Sequence, residues 1–310
     1  MSQPFDQDYL LTDDGHSIYY EQYGNPTGIP VLWLHGGPGV GTSTSYASLF
    51  DLSQFHVILV DQRGAGKSKP CAEIRNNTTQ NIINDLENLR RVLHIESWCL
   101  LGGSWGTTLA LVYAQTHPHA ISHLILRGVF LAREQDYKWL YHHGASQFFP
   151  AEWEAFLKPI GGNRENVIED YHQLFQQADQ QQVHESMQAW CTWEASVAML
   201  KQDPLIIEQL NEKTTCQQFA TISNHYFRHR CFLETDQIIK NINRIRHIST
   251  WIVHGRYDLL CPVSGAYWLN SMLDSCNLTI VEAAGHSQNE VGTTKALKGC
   301  LASLAQTMRQ

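Results

Sequence analysis

Gly102-Gly103-Ser104-Trp105-Gly106 places one hydroxyl among glycines, where the apolar run Cys99-Leu100-Leu101 gives way to the helix-like stretch from Thr107. A serine at a strand-to-helix corner is held in a strained backbone conformation. Its hydroxyl is presented outward, beside the positive end of the helix dipole. Such a hydroxyl is a weak nucleophile until a base removes its proton. The chemistry this pattern can do is therefore acyl transfer, with a histidine as base and an acid to orient it.

Sixteen histidines are available, so position must select the base. His286 stands just past the last strand-like run, in Glu282-Ala283-Ala284-Gly285-His286-Ser287, and follows the serine in the chain. His35 precedes the serine and begins another motif, while His254 is inside a strand-like run. Asp258 closes the late run Trp251-Ile252-Val253-His254-Gly255-Arg256-Tyr257-Asp258; Asp203, Asp236 and Asp274 follow no buried strand. The order Ser104, Asp258, His286 is that of the α/β hydrolases. The early motif His35-Gly36-Gly37-Pro38-Gly39 lets backbone approach a reacting carbon closely. The N–H groups of Gly37 and Trp105 are expected to hold the oxyanion.

The elements that must position these groups follow from patterning. Residues 7–23 alternate about an Asp-Gly turn and predict a hairpin. Runs at 31–37, 55–64, 121–130, 250–258 and 278–287 suit strands of a mostly parallel sheet buried on both faces. Helical spacing follows at 77–95, 262–273 and 294–309. Between 131 and 245 no clear strand pattern appears. We expect an α/β-hydrolase core at 1–130 and 246–310, with 131–245 a helical cap domain.

Two decoys fall away. Asp61-Gln62-Arg63-Gly64-Ala65-Gly66-Lys67-Ser68 ends like a nucleotide-binding loop, but Asp61 occupies the position where that pattern needs glycine. The segment is expected to support the oxyanion loop from beneath. His225, His229 and Cys231 have spacings that hint at a metal, but no glutamate follows His225 and no second ligand cluster is near. Trp190 and Trp193 fit either core packing or contact with substrate.

With these residues in view, the chain resembles the proline iminopeptidases, α/β-hydrolase aminopeptidases that release N-terminal proline. The similarity runs through HGGPG, DQRGAGKS, GGSWGTTLAL, LILRGVFL, GASQFFP, WCTWEA, NHYF, GRYDLLCPVSGA and AGHS. It implies Ser104 as nucleophile, Asp258 and His286 as its partners, and Gly37 with Trp105 as oxyanion hole. It further implies that Glu194 holds the substrate's free amino end, that Arg127 organises this acidic region, and that Phe130 lies near the proline ring. The sequence departs from the family at Ser223, where relatives often carry a second amine-binding glutamate. A small neutral ester or amide is the alternative substrate that this departure admits.

A formal net charge of −8 argues against nucleic acid and anionic membrane as partners, and suits a cationic one. The partner expected is a peptide or aminoacyl substrate with a free N-terminus. Eight cysteines without a CxxC pair and an N-terminus without a basic, apolar signal pattern predict reduced thiols and a cytoplasmic address. No metal or organic cofactor is implied, and oligomeric state is not legible.

Overall fold

The computed structural model describes residues 3–309. Strands β1 (Asp6–Leu11) and β2 (Ser17–Gly24) form the hairpin, followed by β3 (Ile29–Leu34) and β4 (Phe55–Val60). Helix α1 (Thr79–Val92), β5 (Trp98–Gly103), α2 (Trp105–Thr116) and β6 (Ile121–Arg127) come next. Seven helices then run without a strand: α3 (Glu134–Tyr141), α4 (Pro150–Leu157), α5 (Val167–Phe175), α6 (Gln180–Val197), α7 (Pro204–Leu210), α8 (Lys213–Arg228) and α9 (Gln237–Lys240). The chain returns through β7 (Thr250–Gly255), α10 (Ser264–Met272), β8 (Cys276–Val281) and α11 (Val291–Thr307).

The eight strands make one sheet in the order β1-β2-β4-β3-β5-β6-β7-β8, with the first two pairings antiparallel and the rest parallel. Successive side chains of a strand face opposite ways. Leu32 and Leu34 of β3 therefore join the core under α1 and α2, while Val31 and Trp33 pack on the face covered by Leu297, Leu301 and Leu304 of α11. Burial on both faces is why these strands read as unbroken apolar runs.

After β3 the chain moves to β4 on one side, and then crosses to β5 on the other. Such a switch in strand order opens a crevice at the carboxyl ends of the strands. The loops carrying Gly37 and Ser104 flank it, because β3 and β5 are hydrogen-bonded neighbours.

The seven helices build their own aromatic core. Trp190 and Trp193 of α6 are fully buried against Tyr171, Phe156 and Trp153. Their packing lies among the helices themselves, and truncating either would cost about 3–5 kcal/mol. Asp179 starts α6 by accepting the N–H groups of Gln181 and Gln182 at 3.0 and 3.3 Å, satisfying donors that the first turn leaves free.

Boundaries differ from the sequence reading at the sheet's far edge. β8 runs from Cys276 to Val281, whereas the apolar pattern suggested 278–287. Residues 282–287 leave the sheet as turns, and this brings His286 over the strand ends. The strand read at 121–130 stops at Arg127, because Gly128 takes a positive φ of 59°.

Candidate active site

Ser104 lies between β5 and α2 with φ 58° and ψ −125°, a conformation L-residues rarely adopt. The flanking glycines are required by space. A Cβ on Gly102 would lie 2.3 Å from the Gly106 carbonyl oxygen, and one on Gly106 would lie 2.1 Å from that of Leu34. The Ser104 N–H donates to the Arg127 carbonyl at 2.9 Å, which ties the corner to β6.

His286 and Asp258 meet from the loops after β8 and β7. Nδ1 of His286 is 2.7 Å from Oδ2 of Asp258, and both side chains are buried. The other carboxylate oxygen accepts the N–H groups of Leu260 and Cys261 at 3.0 and 2.8 Å. Burial pushes the Asp258 carboxyl up, but the two histidines facing it and the Cys261 N–H outweigh this and hold it below its usual range. The carboxylate is thus charged and fixed.

Ser104 and His286 line one cleft of about 380 Å³ together with Gly37, Arg127 and Glu194. Among the described residues, no hydrogen bond joins the Ser104 hydroxyl to the imidazole. Beside the triad, burial pushes the Cys261 thiol well above its usual range, with the Ser104 hydroxyl pulling weakly the other way. Catalytic hydrogen bonds are commonly long or misaligned until substrate arrives.

The N–H of Trp105 opens α2 and has no acceptor one turn back, and that of Gly37 finds no protein acceptor among the described residues. Gln62 braces this region. Its side chain donates to the His35 carbonyl at 2.9 Å and accepts from the Trp105 indole at 2.8 Å, and its own N–H reaches His35 Nε2 at 3.0 Å. Asp61, the residue that breaks the nucleotide-loop pattern, accepts the N–H groups of Thr42 and Lys67 at 2.7 and 2.8 Å. The segment is thus hydrogen-bonded to both ends of the loop that carries Gly37.

Glu194 reaches the cleft from α6 and is the one carboxylate among the described residues lining it. It accepts a hydrogen bond from the Tyr141 hydroxyl. Burial raises its carboxyl to about 8, against the opposing pull of Tyr141 and Trp190. Ser223, the departure from the family pattern, is fully buried. Its hydroxyl accepts from the Trp190 indole at 2.9 Å and donates to the Phe219 carbonyl at 2.7 Å.

Arg127 and Phe130, the other two expected substrate-binding residues, are placed by these contacts. Arg127 donates from Nη1 to the His286 carbonyl at 2.8 Å, whereas the hydrogen-bond partner of Glu194 is Tyr141. Phe130 is absent from the lining of the cleft. It packs edge-on against Tyr137 and Phe227, and Phe227 in turn meets Tyr141. Tyr141, Gln62 and Cys261 were not singled out from sequence as site residues. Gln62 and Cys261 stand inside DQRGAGKS and GRYDLLCPVSGA, two of the motifs that carry the resemblance, whereas Tyr141 has no such signal.

Among the described residues the single grouping of three metal-ligand types is Asp258, Cys261 and His286, whose ligand atoms lie within 4.8 Å of one another. That grouping shares the imidazole and carboxylate already bonded to each other.

A serine elbow at the switch point of a mostly parallel sheet, with a buried histidine–aspartate pair beside it, defines an α/β hydrolase, and the α/β-hydrolase-fold family model matches residues 29–293. The chain is 45% identical over 296 residues to a Leptolyngbya boryana protein titled "Probable proline iminopeptidase", covering 95% of this chain and 92% of the relative. It is 40% identical over 298 residues to an Arabidopsis thaliana proline iminopeptidase, covering 95% and 78%. It is 41% identical over 290 residues to that of Neisseria meningitidis serogroup B, covering 92% of each. The chain belongs to the proline iminopeptidase family. Among solved structures it shares its fold with an esterase from Exiguobacterium antarcticum, at TM-score 0.67 and 21% identity over 97% of this chain and 100% of that one.

Proposed function

We propose that the protein removes an N-terminal proline, or a similar small residue, from peptides by two-step acyl transfer. The observation that carries this reading is the lone buried carboxylate of Glu194 in the cleft that holds Ser104 and His286. A peptide with a free N-terminus presents an ammonium, and a carboxylate in a dry pocket binds it through a charge-assisted hydrogen bond.

In this reading substrate arrival brings the Ser104 hydroxyl into a hydrogen bond with His286 Nε2, a nitrogen with no protein partner among the described residues. His286 takes the proton as Ser104 attacks the first carbonyl, then returns it to the departing amine. Water releases the amino acid in a second round. Asp258 holds the imidazole throughout, and the free N–H groups of Gly37 and Trp105 receive the oxyanion. Arg127 acts from the backbone side by holding the His286 carbonyl. Phe130 bears on the site at one remove: it packs on Phe227, Phe227 meets Tyr141, and Tyr141 donates to Glu194.

We assign the helices of residues 131–245 to a cap, with the core formed by 1–130 and 246–310. A cytoplasmic location is supported by eight free cysteines, among them Cys191 and Cys216 whose sulfurs sit 3.4 Å apart as thiols. No helix among the described residues is long and apolar enough to cross a membrane.

The test compares prolyl-β-naphthylamide with its N-acetylated form. The reading expects kcat/KM to collapse on acetylation. Equal rates would overturn amine recognition and favour the neutral ester or amide.

A further inference from the structure

Asp258 is faced by two histidines, and only one of them has been given work. His254 is the penultimate residue of β7 and is wholly removed from solvent. Its Nδ1 accepts the N–H of Val129 at 3.1 Å, so that nitrogen carries a lone pair. The ring proton must therefore sit on Nε2. That nitrogen lies 2.8 Å from the Cys261 carbonyl and 3.3 Å from Oδ2 of Asp258, the same oxygen that receives His286.

We propose that His254 is a positioning residue for the acyl-transfer chemistry: its Nε2–H, shared between the Cys261 carbonyl and Asp258 Oδ2, aims the carboxylate at His286. This rests on the Ser104–His286–Asp258 reading above. The geometry gives His254 three anchors. It grips the loop after β6 at Val129, next to Gly128, where a Cβ would come within 2.7 Å of the His286 ring. It grips the Asp258 loop at Cys261, and it touches the carboxylate itself. The charged and titratable groups facing it are Asp258 and the Cys261 backbone on its own loop, His286 from beyond β8, and Arg127 from the end of β6. Burial lowers its basicity, which keeps the ring a neutral one-proton donor. A second N–H on Oδ2 also tempers the basicity of the carboxylate, so it bears on how readily His286 gains a proton.

The experiment compares His254→Leu with His254→Gln, whose amide N–H can reach the same two oxygens. For the leucine variant we expect kcat to fall about tenfold to a hundredfold with KM nearly unchanged. The acid limb of its kcat/KM profile should move up by about half a pH unit or more, because a carboxylate stripped of one donor pulls harder on the imidazolium. His254→Gln should recover most of the rate and the original limb. A folded leucine variant with unchanged kcat and an unmoved limb would overturn the proposal. Ser104→Ala, run alongside, separates the two readings: if it retains turnover, the acyl-transfer reading itself fails. Should the leucine variant not fold, ¹⁵N-histidine NMR of the unaltered protein decides. A neutral Nε2–H ring at 254 from about pH 5 to 9 supports the role, and an Nδ1–H tautomer or a charged ring ends it.

Discussion

The Tyr141 hydroxyl donates to Glu194 across fifty-three residues of chain, from the end of α3 to the last turn of α6, and both side chains are buried. The bond holds the carboxyl in place while burial raises it to about 8. Without substrate the carboxyl is therefore mostly neutral at pH 7, and an arriving ammonium must expel its proton.

This gives substrate binding a pH signature. Below about pH 8, forming the ammonium–carboxylate pair releases one proton, so KM should fall by up to about tenfold per pH unit as pH rises. Above about pH 8 the free amine must regain a proton, and KM should rise again. Initial rates on prolyl-β-naphthylamide across this range check the minimum. Glu194→Gln should flatten the acid side and lower kcat/KM by about tenfold to a hundredfold.

Stability carries the same signature with a definite sign. Glu194 titrates near 4.5 when exposed and at about 8 in the fold, so between these values the folded protein keeps a proton that the unfolded chain has lost. Stability then declines as pH rises through that window. Glu194→Gln removes the penalty, and its melting temperature should exceed that of the parent at pH 9 and converge with it near pH 4. An equal gap at both values would show that burial of this carboxyl does not act as argued.

Asp258 fixes which imidazole nitrogen bears the proton. In Asp258→Asn the amide can present a donor to Nδ1, which favours the wrong tautomer. We expect kcat to drop by about ten-thousandfold with little change in KM. Steady-state kinetics beside a circular dichroism melt distinguishes this from loss of fold.

Gln62 ties the loops of Gly37 and Trp105 together through three buried hydrogen bonds, two to His35 and one to the Trp105 indole. Gln62→Leu keeps the backbone bond to His35 but strands the His35 carbonyl and the Trp105 indole. The cost should be about 1–3 kcal/mol in stability, with kcat reduced about tenfold if the oxyanion N–H groups lose alignment. A melt and a kcat measurement on one preparation report both.

Much of this arrangement is legible along the chain because its signals are local. Gly102 and Gly106 are demanded by contacts within the elbow and with the adjacent strand, and the apolar runs reflect strands covered on both faces. The position of His286 after the last strand follows from chain order. Other relationships are not local at all. Tyr141 meets Glu194, Arg127 meets the His286 carbonyl, and Trp190 meets Ser223 only because separate elements pack together. No spacing in the sequence encodes those pairs. The resemblance led to Glu194 and Arg127 as residues, but their partners are set by tertiary packing. β8 likewise looks longer in sequence than it is, since Ala283 and Ala284 are apolar yet lie in the turns leading to His286.

The most direct test of the account is to treat the protein with a fluorophosphonate, follow loss of prolyl-naphthylamide hydrolysis, and map the adduct by peptide mass spectrometry. The account predicts one phosphonyl group on Ser104, acquired in step with the loss of activity and absent from Ser104→Ala. Full inactivation with the adduct on another residue, or undiminished hydrolysis by a protein fully labelled at Ser104, would contradict it.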